Sequence, residues 1–286
     1  MTTYLVTGAS GQLGRLTVRA LLERGITPAD VVATARDADA VADLAELGVV
    51  VRRADYTDPT SLKEAFVGVD RALLVSSSAV GERVGQHANV IEAAKEAGVE
   101  LLGYTSVTHA DTSEMVLAQE HRQTEELLAA SGLPVALLRN SWYIENYTGQ
   151  VATALEHGVV LGAAGEGRVS AATRADFAAA AAAALVAEDQ AGQVYELGGD
   201  IAFTLAEYAA TLSAESRTEV AYSDLSVAEL TSALVGAGLP EPYAALLADS
   251  DLGIARGELL ADTGHLAKLI GRPTTTPGEA IRAALA

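Results

Sequence analysis

The sequence predicts an α/β protein with a doubly wound parallel (Rossmann-type) sheet and a smaller, mainly helical C-terminal lobe. Three observations carry this prediction. Short apolar segments alternate with helical ones up to residue 140, no hairpin turn separates them, and the first apolar segment runs into glycines at positions 8, 11 and 14. Strands that alternate with helices pair in parallel through right-handed crossovers, which is the doubly wound arrangement.

The first half of the chain has clear start and stop signals. The first helix ends at Gly25, Asp58 followed by Pro59 opens another as N-cap and first helical residue, and Gly48 and Gly98 close two more. The predicted strands begin at residue 4 and then cover 31–35, 49–51, 71–75, 101–104 and 135–139. The other predicted helices cover 38–47, 82–97 and 118–130.

The pattern loosens after residue 140. We expect a helix near 148–156, a glycine-rich stretch, an alanine-rich helix over 178–186 and a further sheet strand at 193–197. The remainder is predicted to be mainly helical, with three capping boxes that pair Thr204 with Glu207, Ser226 with Glu229, and Thr276 with Glu279. The expected division is an NAD(P)-binding domain, residues 1–146 and 172–198, and a lobe beside the substrate cleft, residues 147–171 and 199–286.

The composition excludes several classes of protein. The chain of 286 residues has no cysteine, which excludes disulfides, zinc–thiolate sites and thiol catalysis. A net charge of −19 opposes nucleic-acid binding, because such binding depends on basic contacts to phosphate. No apolar stretch is long enough to cross a membrane, and no signal peptide is evident. We therefore expect a cytoplasmic protein.

The glycine-rich turn predicts dinucleotide binding. A strand that turns sharply into a helix leaves the first helical N–H groups unpaired, and with the helix dipole they favour a pyrophosphate. Gly8 suits the tight turn, Gly11 lets a phosphate approach the backbone, and Gly14 lets the helix lie close to the strand. The alternative is a purely structural turn.

Arg36 favours NADPH as the cofactor. The residue at the end of the second strand reads the adenosine ribose, where an acidic side chain selects NAD and a guanidinium pairs with the 2′-phosphate of NADP. Asp37 and Asp39 follow Arg36 and soften this preference, so NADH stays possible. The alternative is that Arg36 is an ordinary surface arginine.

The chain lacks the Tyr-x-x-x-Lys pair with which short-chain dehydrogenases reduce carbonyls. None of its nine tyrosines has a lysine four residues later, and Lys63, Lys95 and Lys268 lie in helical segments. His121 stands where the pair is expected, near a helix surface, and is interpreted as structural rather than as an acid. Hydride transfer to a quinone needs little acid help, because the product oxyanion is a weak base, so holding two flat rings together suffices.

Aromatic side chains are expected near the carboxyl ends of the strands, where such a fold holds its ligand. Tyr104 is placed after the fifth strand, and Trp142, Tyr143 and Tyr147 follow the sixth. Each either contacts the acceptor or packs between the two lobes. The serines at 76–78 either line the nicotinamide side of the cleft or simply make the turn.

Segments spread over the whole chain resemble the NmrA-like group of atypical short-chain dehydrogenases, and within it the quinone reductases. They lie at residues 7–14, 54–56, 76–78, 104–106, 109–113, 138–140, 142–143, 162–165, 269–271 and 273–276. The resemblance implies NADPH in the cleft, with a quinone beside the nicotinamide and neither flavin nor metal. The implied cofactor contacts are Gly8, Ser10, Gly11, Gln12, Leu13, Arg36, Ser76, Ser77, Ser78, Tyr104, Asn140 and Tyr143. The implied acceptor-pocket residues are Tyr104, His109, Trp142, Tyr143 and Asn146.

The same resemblance leaves two alternatives open. Relatives in this group include a triphenylmethane dye reductase, which also delivers hydride to an electron-poor conjugated carbon. They also include proteins that bind NADP without turnover and report the redox state to a partner. The missing tyrosine–lysine pair is compatible with all three functions.

Overall fold

The computed structural model describes residues 1–286 and contains nine β-strands and thirteen α-helices. The strands are β1 (Tyr4–Val6), β2 (Val31–Ala35), β3 (Val50–Arg53), β4 (Arg71–Leu74), β5 (Leu101–Val107), β6 (Val135–Asn140), β7 (Val159–Gly162), β8 (Val194–Leu197) and β9 (Ala221–Asp224). The helices are α1 (Gln12–Glu23), α2 (Ala42–Glu46), α3 (Pro59–Ala65), α4 (Arg83–Ala97), α5 (Val116–Ser131), α6 (Glu145–Thr148), α7 (Val151–His157), α8 (Arg174–Val186), α9 (Leu205–Ser216), α10 (Val227–Gly236), α11 (Glu241–Ala255), α12 (His265–Ile270) and α13 (Pro277–Leu285). No helix is both long and apolar enough to cross a membrane.

The predicted doubly wound sheet is confirmed. Seven strands hydrogen-bond in the order β3-β2-β1-β4-β5-β6-β8, and each neighbouring pair from β3 to β6 is parallel. The strand order reverses at β1, where Tyr4 lies opposite Val31 on one side and Arg71 on the other. Ligands of open parallel sheets bind at this switch point, beyond the carboxyl ends of the strands.

The chain divides into two compact units, and the first contains most of the sheet. Unit 1 comprises residues 1–107, 120–140 and 174–195. Its core is apolar, and α8 is almost entirely buried because its small alanine side chains allow close packing. Arg24, the C-cap residue of α1, donates a hydrogen bond to the carbonyl of Ala179 in α8. Arg71 donates to the carbonyls of Leu185 and Ala187, which satisfies the C-terminal end of α8.

Unit 2 comprises residues 108–119, 141–173 and 196–286. All three predicted capping boxes are formed, at the N-termini of α9, α10 and α13. The turn after β7 has its N–H groups satisfied by side chains. Ala163 donates to Asp251 (2.8 Å), Ala164 to the Tyr222 hydroxyl (3.2 Å) and Gly165 to Asp224 (2.9 Å).

Three local predictions are wrong, whereas the helix expected near 148–156 is present as α7. Residues 38–47 contain a 3₁₀ turn at Asp39–Val41 and the short α2 instead of one helix. The fifth strand continues three residues beyond its predicted end at 104. The glycine-rich stretch begins with β7, which pairs in parallel with β9 in a second, two-stranded sheet. Four-residue strands of this kind carry too little periodicity to be recognised in a single sequence.

Candidate functional site

The turn between β1 and α1 has the geometry of a phosphate-binding loop. Gly8 adopts a left-handed conformation (φ 61°), and Gly11 donates to its carbonyl oxygen (3.0 Å). A Cβ atom on Gly14 would lie 2.5 Å from that oxygen, so only glycine allows α1 to come this close. Gly11 is the N-cap, no side chain caps α1, and its first turn holds no acidic residue. The free N–H groups therefore fit an anion such as a pyrophosphate.

Arg36 is exposed at the carboxyl end of β2, the position that the sequence indicated for reading the ribose. Its neighbour is Asp55, which follows β3. Hydrogen bonds from Thr57 lower the pKa of Asp55, and the charges of Arg36 and Arg53 lower it further. Two arginines thus face this end of the sheet, which suits a phosphate group.

The segment after β4 is fixed beside the glycine turn. The backbone N–H of Val75 donates to the hydroxyl of Thr7 (3.0 Å), and Tyr56 donates to the carbonyl of Val75 (2.8 Å) while its hydroxyl also contacts Thr7. Gly8 is close enough that a Cβ there would lie 3.8 Å from the Cβ of Val75. The structure therefore brings Ser76, which follows, near the glycine turn within unit 1.

Tyr104 does not lie at the carboxyl end of the fifth strand, where it was expected, but inside the strand, which continues to Val107. The side chain is fully buried, and its hydroxyl is 2.7 Å from Nδ1 of His121. His121 is likewise buried, whereas the sequence placed it near a helix surface, so that placement is wrong. Burial lowers the pKa of His121 far below its usual value and raises that of Tyr104. The interpretation of His121 as a structural residue agrees with this neutral, buried pair.

No lysine stands in for the missing catalytic pair. Lys63, Lys95 and Lys268 all lie in helices and are exposed, as the sequence indicated.

Asn140, a predicted cofactor contact, is buried at the end of β6, and its side-chain oxygen has no hydrogen-bond partner. No group of three His, Asp or Glu side chains is arranged to hold a metal ion.

The aromatic segment after β6 lies in unit 2. Trp142, Tyr143 and Asn146 are half-buried there. Backbone hydrogen bonds between Ala172 and both neighbours of Tyr143 hold the segment in a defined conformation. Tyr147 packs at 5.4 Å against the ring of Tyr208 and belongs to the interior of unit 2.

His109 has a backbone conformation that is rare for any residue except glycine (φ 53°). Its N–H donates to the carboxylate of Glu196 (3.0 Å), which also accepts a hydrogen bond from Thr108. The ring donates from Nε2 to the carbonyl of Leu260 (3.0 Å). These contacts within unit 2 stabilise the strained backbone and fix the orientation of the imidazole.

The sequence interpretation missed two residues that organise unit 1. One is Tyr56, whose hydroxyl joins Thr7 to Val75. The other is His87, which lies on the buried face of α4 with Val90 and Ile91. The sequence signal that could have revealed His87 is a polar side chain at helical spacing within an apolar helix face, because a buried polar group needs a specific hydrogen-bond partner.

Comparison with known proteins places the chain in a family. A model of a family described as NAD(P)H-binding matches residues 8–188. The chain belongs to this family. It is 49% identical to quinone oxidoreductase 2 of Escherichia coli over 96% of each chain, and 30% identical to an NAD(P)H azoreductase of Xenophilus azovorans over 98% of this chain and 96% of the other.

Solved structures give the same result. The crystal structure of the NADPH-dependent quinone oxidoreductase of E. coli in complex with NADPH has a TM-score of 0.96 and 48% identity, covering 99% of this chain and 100% of the other. The triphenylmethane reductase of Citrobacter sp. in complex with NADP(H) has a TM-score of 0.93 and 35% identity, with the same coverage. The resemblance inferred from the sequence motifs is confirmed.

Proposed function

We propose that this protein transfers a hydride from NADPH to a quinone, without a flavin, a metal or a tyrosine–lysine pair. The observation that supports the proposal is the 49% identity to the E. coli quinone oxidoreductase over 96% of both chains. Because the NAD(P)H-binding family model ends at residue 188, this similarity includes parts of the chain beyond the nucleotide-binding region.

The residues of unit 1 have distinct roles in binding the cofactor, which supplies the hydride when bound. The N–H groups of Ser10, Gln12 and Leu13 bind the pyrophosphate at the start of α1, and Gly11, which has no side chain, lets the pyrophosphate approach the backbone. Arg36 pairs with the 2′-phosphate, and the segment Ser76–Ser78 supports the nicotinamide end. The missing tyrosine–lysine pair limits the reaction to acceptors that need no strong acid.

In unit 2, we assign the acceptor to the half-buried rings of Trp142 and Tyr143, with His109 and Asn146 as polar neighbours. Flat aromatic side chains bind a flat acceptor by stacking and leave its orientation to a few polar groups. Tyr104 is excluded from this role, because its ring is fully buried and its hydroxyl is engaged by His121. Water protonates the weakly basic product oxyanion.

A dye reductase is the second candidate, and the match to the triphenylmethane reductase supports it. That reaction also needs hydride transfer to a conjugated carbon without a strong acid. Its lower identity, 35% against 48%, makes the quinone the better choice. A sensor that binds NADPH without turnover is the remaining alternative.

The test is NADPH oxidation by the protein with no added flavin, measured against benzoquinones, naphthoquinones, triphenylmethane dyes and simple ketones. We expect saturable turnover with quinones and negligible reduction of ketones. Tyr143→Ala should raise KM for the quinone or lower kcat while NADPH affinity stays nearly constant. Tyr243→Ala, at an exposed tyrosine of α11, is the matched control.

The alternatives give different results in the same assay. Faster turnover of dyes than of quinones would favour the dye reductase. Tight NADPH binding in a calorimeter with no turnover of any acceptor would refute the enzyme and support the sensor.

A further inference from the structure

We propose that His87 is a positioning residue that holds the segment Ser76–Ser78 in the conformation required for hydride transfer. The inference rests on the proposed function, since it assigns that segment to the nicotinamide end of the cofactor site. His87 lies in α4 and acts through the backbone of Ser77, without contacting the cofactor.

The segment Ser76–Ser78 affects hydride transfer because of where it lies in the sheet. It follows β4, which neighbours β1 at the switch point of the sheet, where parallel sheets bind their ligands. Val75, just before it, is hydrogen-bonded to Thr7, the residue that precedes the glycine turn. A change in the conformation of the segment therefore acts directly at the cofactor site.

The hydrogen bond between Ser77 and His87 fixes the protonation of the imidazole. The backbone N–H of Ser77 donates to Nε2 of His87 (2.9 Å), so this nitrogen must carry no proton. The proton is therefore on Nδ1, which donates to the hydroxyl of Thr124 (2.9 Å). Thr124 in turn donates to the carbonyl of Glu120 (2.8 Å). The donor and the acceptor of each hydrogen bond from Ser77 to Glu120 are therefore fixed.

Burial keeps His87 in this state. It lowers the pKa of His87 to about 3, and the nearby charge of Arg83 contributes to the decrease. The imidazole is fully buried and, with this pKa, is neutral near pH 7. Nε2 is thus a permanent acceptor for Ser77, unlike an exposed histidine, which gains a proton near neutral pH.

The opposite face of Ser77 is also fixed by α4. Arg83 donates from Nε to the carbonyl of Ser77 (2.6 Å), and the Ser77 hydroxyl donates to Gln86 (2.5 Å). Ser76 donates its N–H to the hydroxyl of Thr105 (2.8 Å). Loops are usually mobile, whereas here consecutive backbone groups are bound by buried side chains, which is how a reactive site is preorganised.

Two variants separate this role from a general contribution to packing. His87→Gln keeps an acceptor oxygen at the end of the side chain, where Nε2 lies. His87→Asn is shorter, so its oxygen reaches only the position of Nδ1 and Ser77 loses its acceptor. Both variants remove the ring from its edge-on contact with Tyr104 (5.4 Å between centroids), so the loss of this ring contact is common to the two variants.

Three measurements are made on each variant and on the wild type. Hydrogen exchange of the Ser77 amide, followed by NMR without cofactor, reports the bond itself. Calorimetry with adenosine 2′,5′-bisphosphate, which has no nicotinamide, reports the adenosine end of the site. Stopped-flow oxidation of bound NADPH by a benzoquinone reports hydride transfer.

We expect His87→Asn to expose the Ser77 amide, to slow hydride transfer about tenfold or more, and to leave adenosine bisphosphate binding unchanged. His87→Gln should stay within about threefold of the wild type in all three. Equal hydride-transfer rates in His87→Asn and the wild type, with Ser77 exposed, would overturn the proposal. Equal losses in both variants, extending to adenosine bisphosphate binding, would also overturn it and indicate packing alone.

If His87→Asn does not fold, Thr124→Val keeps the imidazole and removes the acceptor of its Nδ1 proton. Faster exchange of the Ser77 amide together with slower hydride transfer would support the proposal, and any other combination would refute it. If the wild type does not oxidise NADPH with any quinone, the proposed function fails instead. The Ser77 exchange then still shows whether His87 fixes the segment.

Discussion

Replacing Asp251 with asparagine should stabilise the protein at neutral pH. Asp251 lies in α11 and accepts a hydrogen bond from the N–H of Ala163. Its pKa is raised from 3.8 to about 6, mainly by burial and to a smaller extent by the charge of the neighbouring Asp224, and the hydrogen bond from Ala163 opposes the increase. Asparagine keeps an acceptor oxygen for Ala163 and removes the charge.

The size of the effect follows from the linkage between protonation and folding. Because the pKa of Asp251 is raised in the folded state, its favourable contribution is complete below about pH 4 and is lost as the pH rises through about 6. At pH 7.5 the buried charge therefore costs up to about 3 kcal/mol relative to acid conditions. The uncharged variant avoids this cost.

Urea unfolding at several pH values measures the difference between the two proteins. We expect Asp251→Asn to be more stable than the wild type by about 1–3 kcal/mol at pH 7.5 and by nearly nothing at pH 4. Asp262→Asn, at an exposed position, makes the same change of net charge and should show no such pH dependence. A variant that is less stable than the wild type at pH 7.5 would refute the assigned cost of the charge.

Three further predictions concern unit 1. Gly14→Ala should destabilise the protein by about 1–3 kcal/mol and weaken NADPH binding in calorimetry, because the added Cβ would lie 2.5 Å from the Gly8 carbonyl oxygen. The control is Gly85→Ala, in a helix with open space around the position, which should be neutral or stabilising. Arg36→Ala should weaken NADPH binding by about 1.5–3 kcal/mol and leave NADH binding nearly unchanged, and equal losses for both would show that Arg36 does not read the 2′-phosphate. Glu125→Ala should cost about 3–5 kcal/mol in urea unfolding, since it leaves Arg139 buried without its carboxylate, whereas Glu96→Ala, which breaks the exposed pair with Lys63, should cost less than about 1 kcal/mol.

The fold was predictable because its signals are local and repeated. Asp58 caps α3 and Gly98 ends α4 in a left-handed conformation, as their positions in the sequence indicated. The paired strands β7 and β9 were not predictable, since each has only four residues and their partners are far apart in the chain. Propensity cannot reveal a pairing that tertiary contacts create.

The same distinction between local sequence signals and tertiary contacts applies to the candidate site. The glycine turn was readable, because positions 8, 11 and 14 are each constrained by backbone geometry at short range. The burial of Tyr104 could not be predicted, because it depends on three strand residues beyond the predicted end of the strand and on His121 in α5. The network around His87 is equally non-local and requires the packing of α4 against the sheet.

The packing of α8 against α1 affects how the protein is made. α1 ends at Glu23, but α8, which covers it, begins at Arg174. At about 5–20 residues per second, a ribosome needs on the order of ten seconds to bridge that interval. During this time the part of α1 that packs on α8 has no native partner, so the nascent chain must avoid aggregation without its finished core. Fragments that stop before residue 174 should therefore accumulate as inclusion bodies, whatever their affinity for nucleotide.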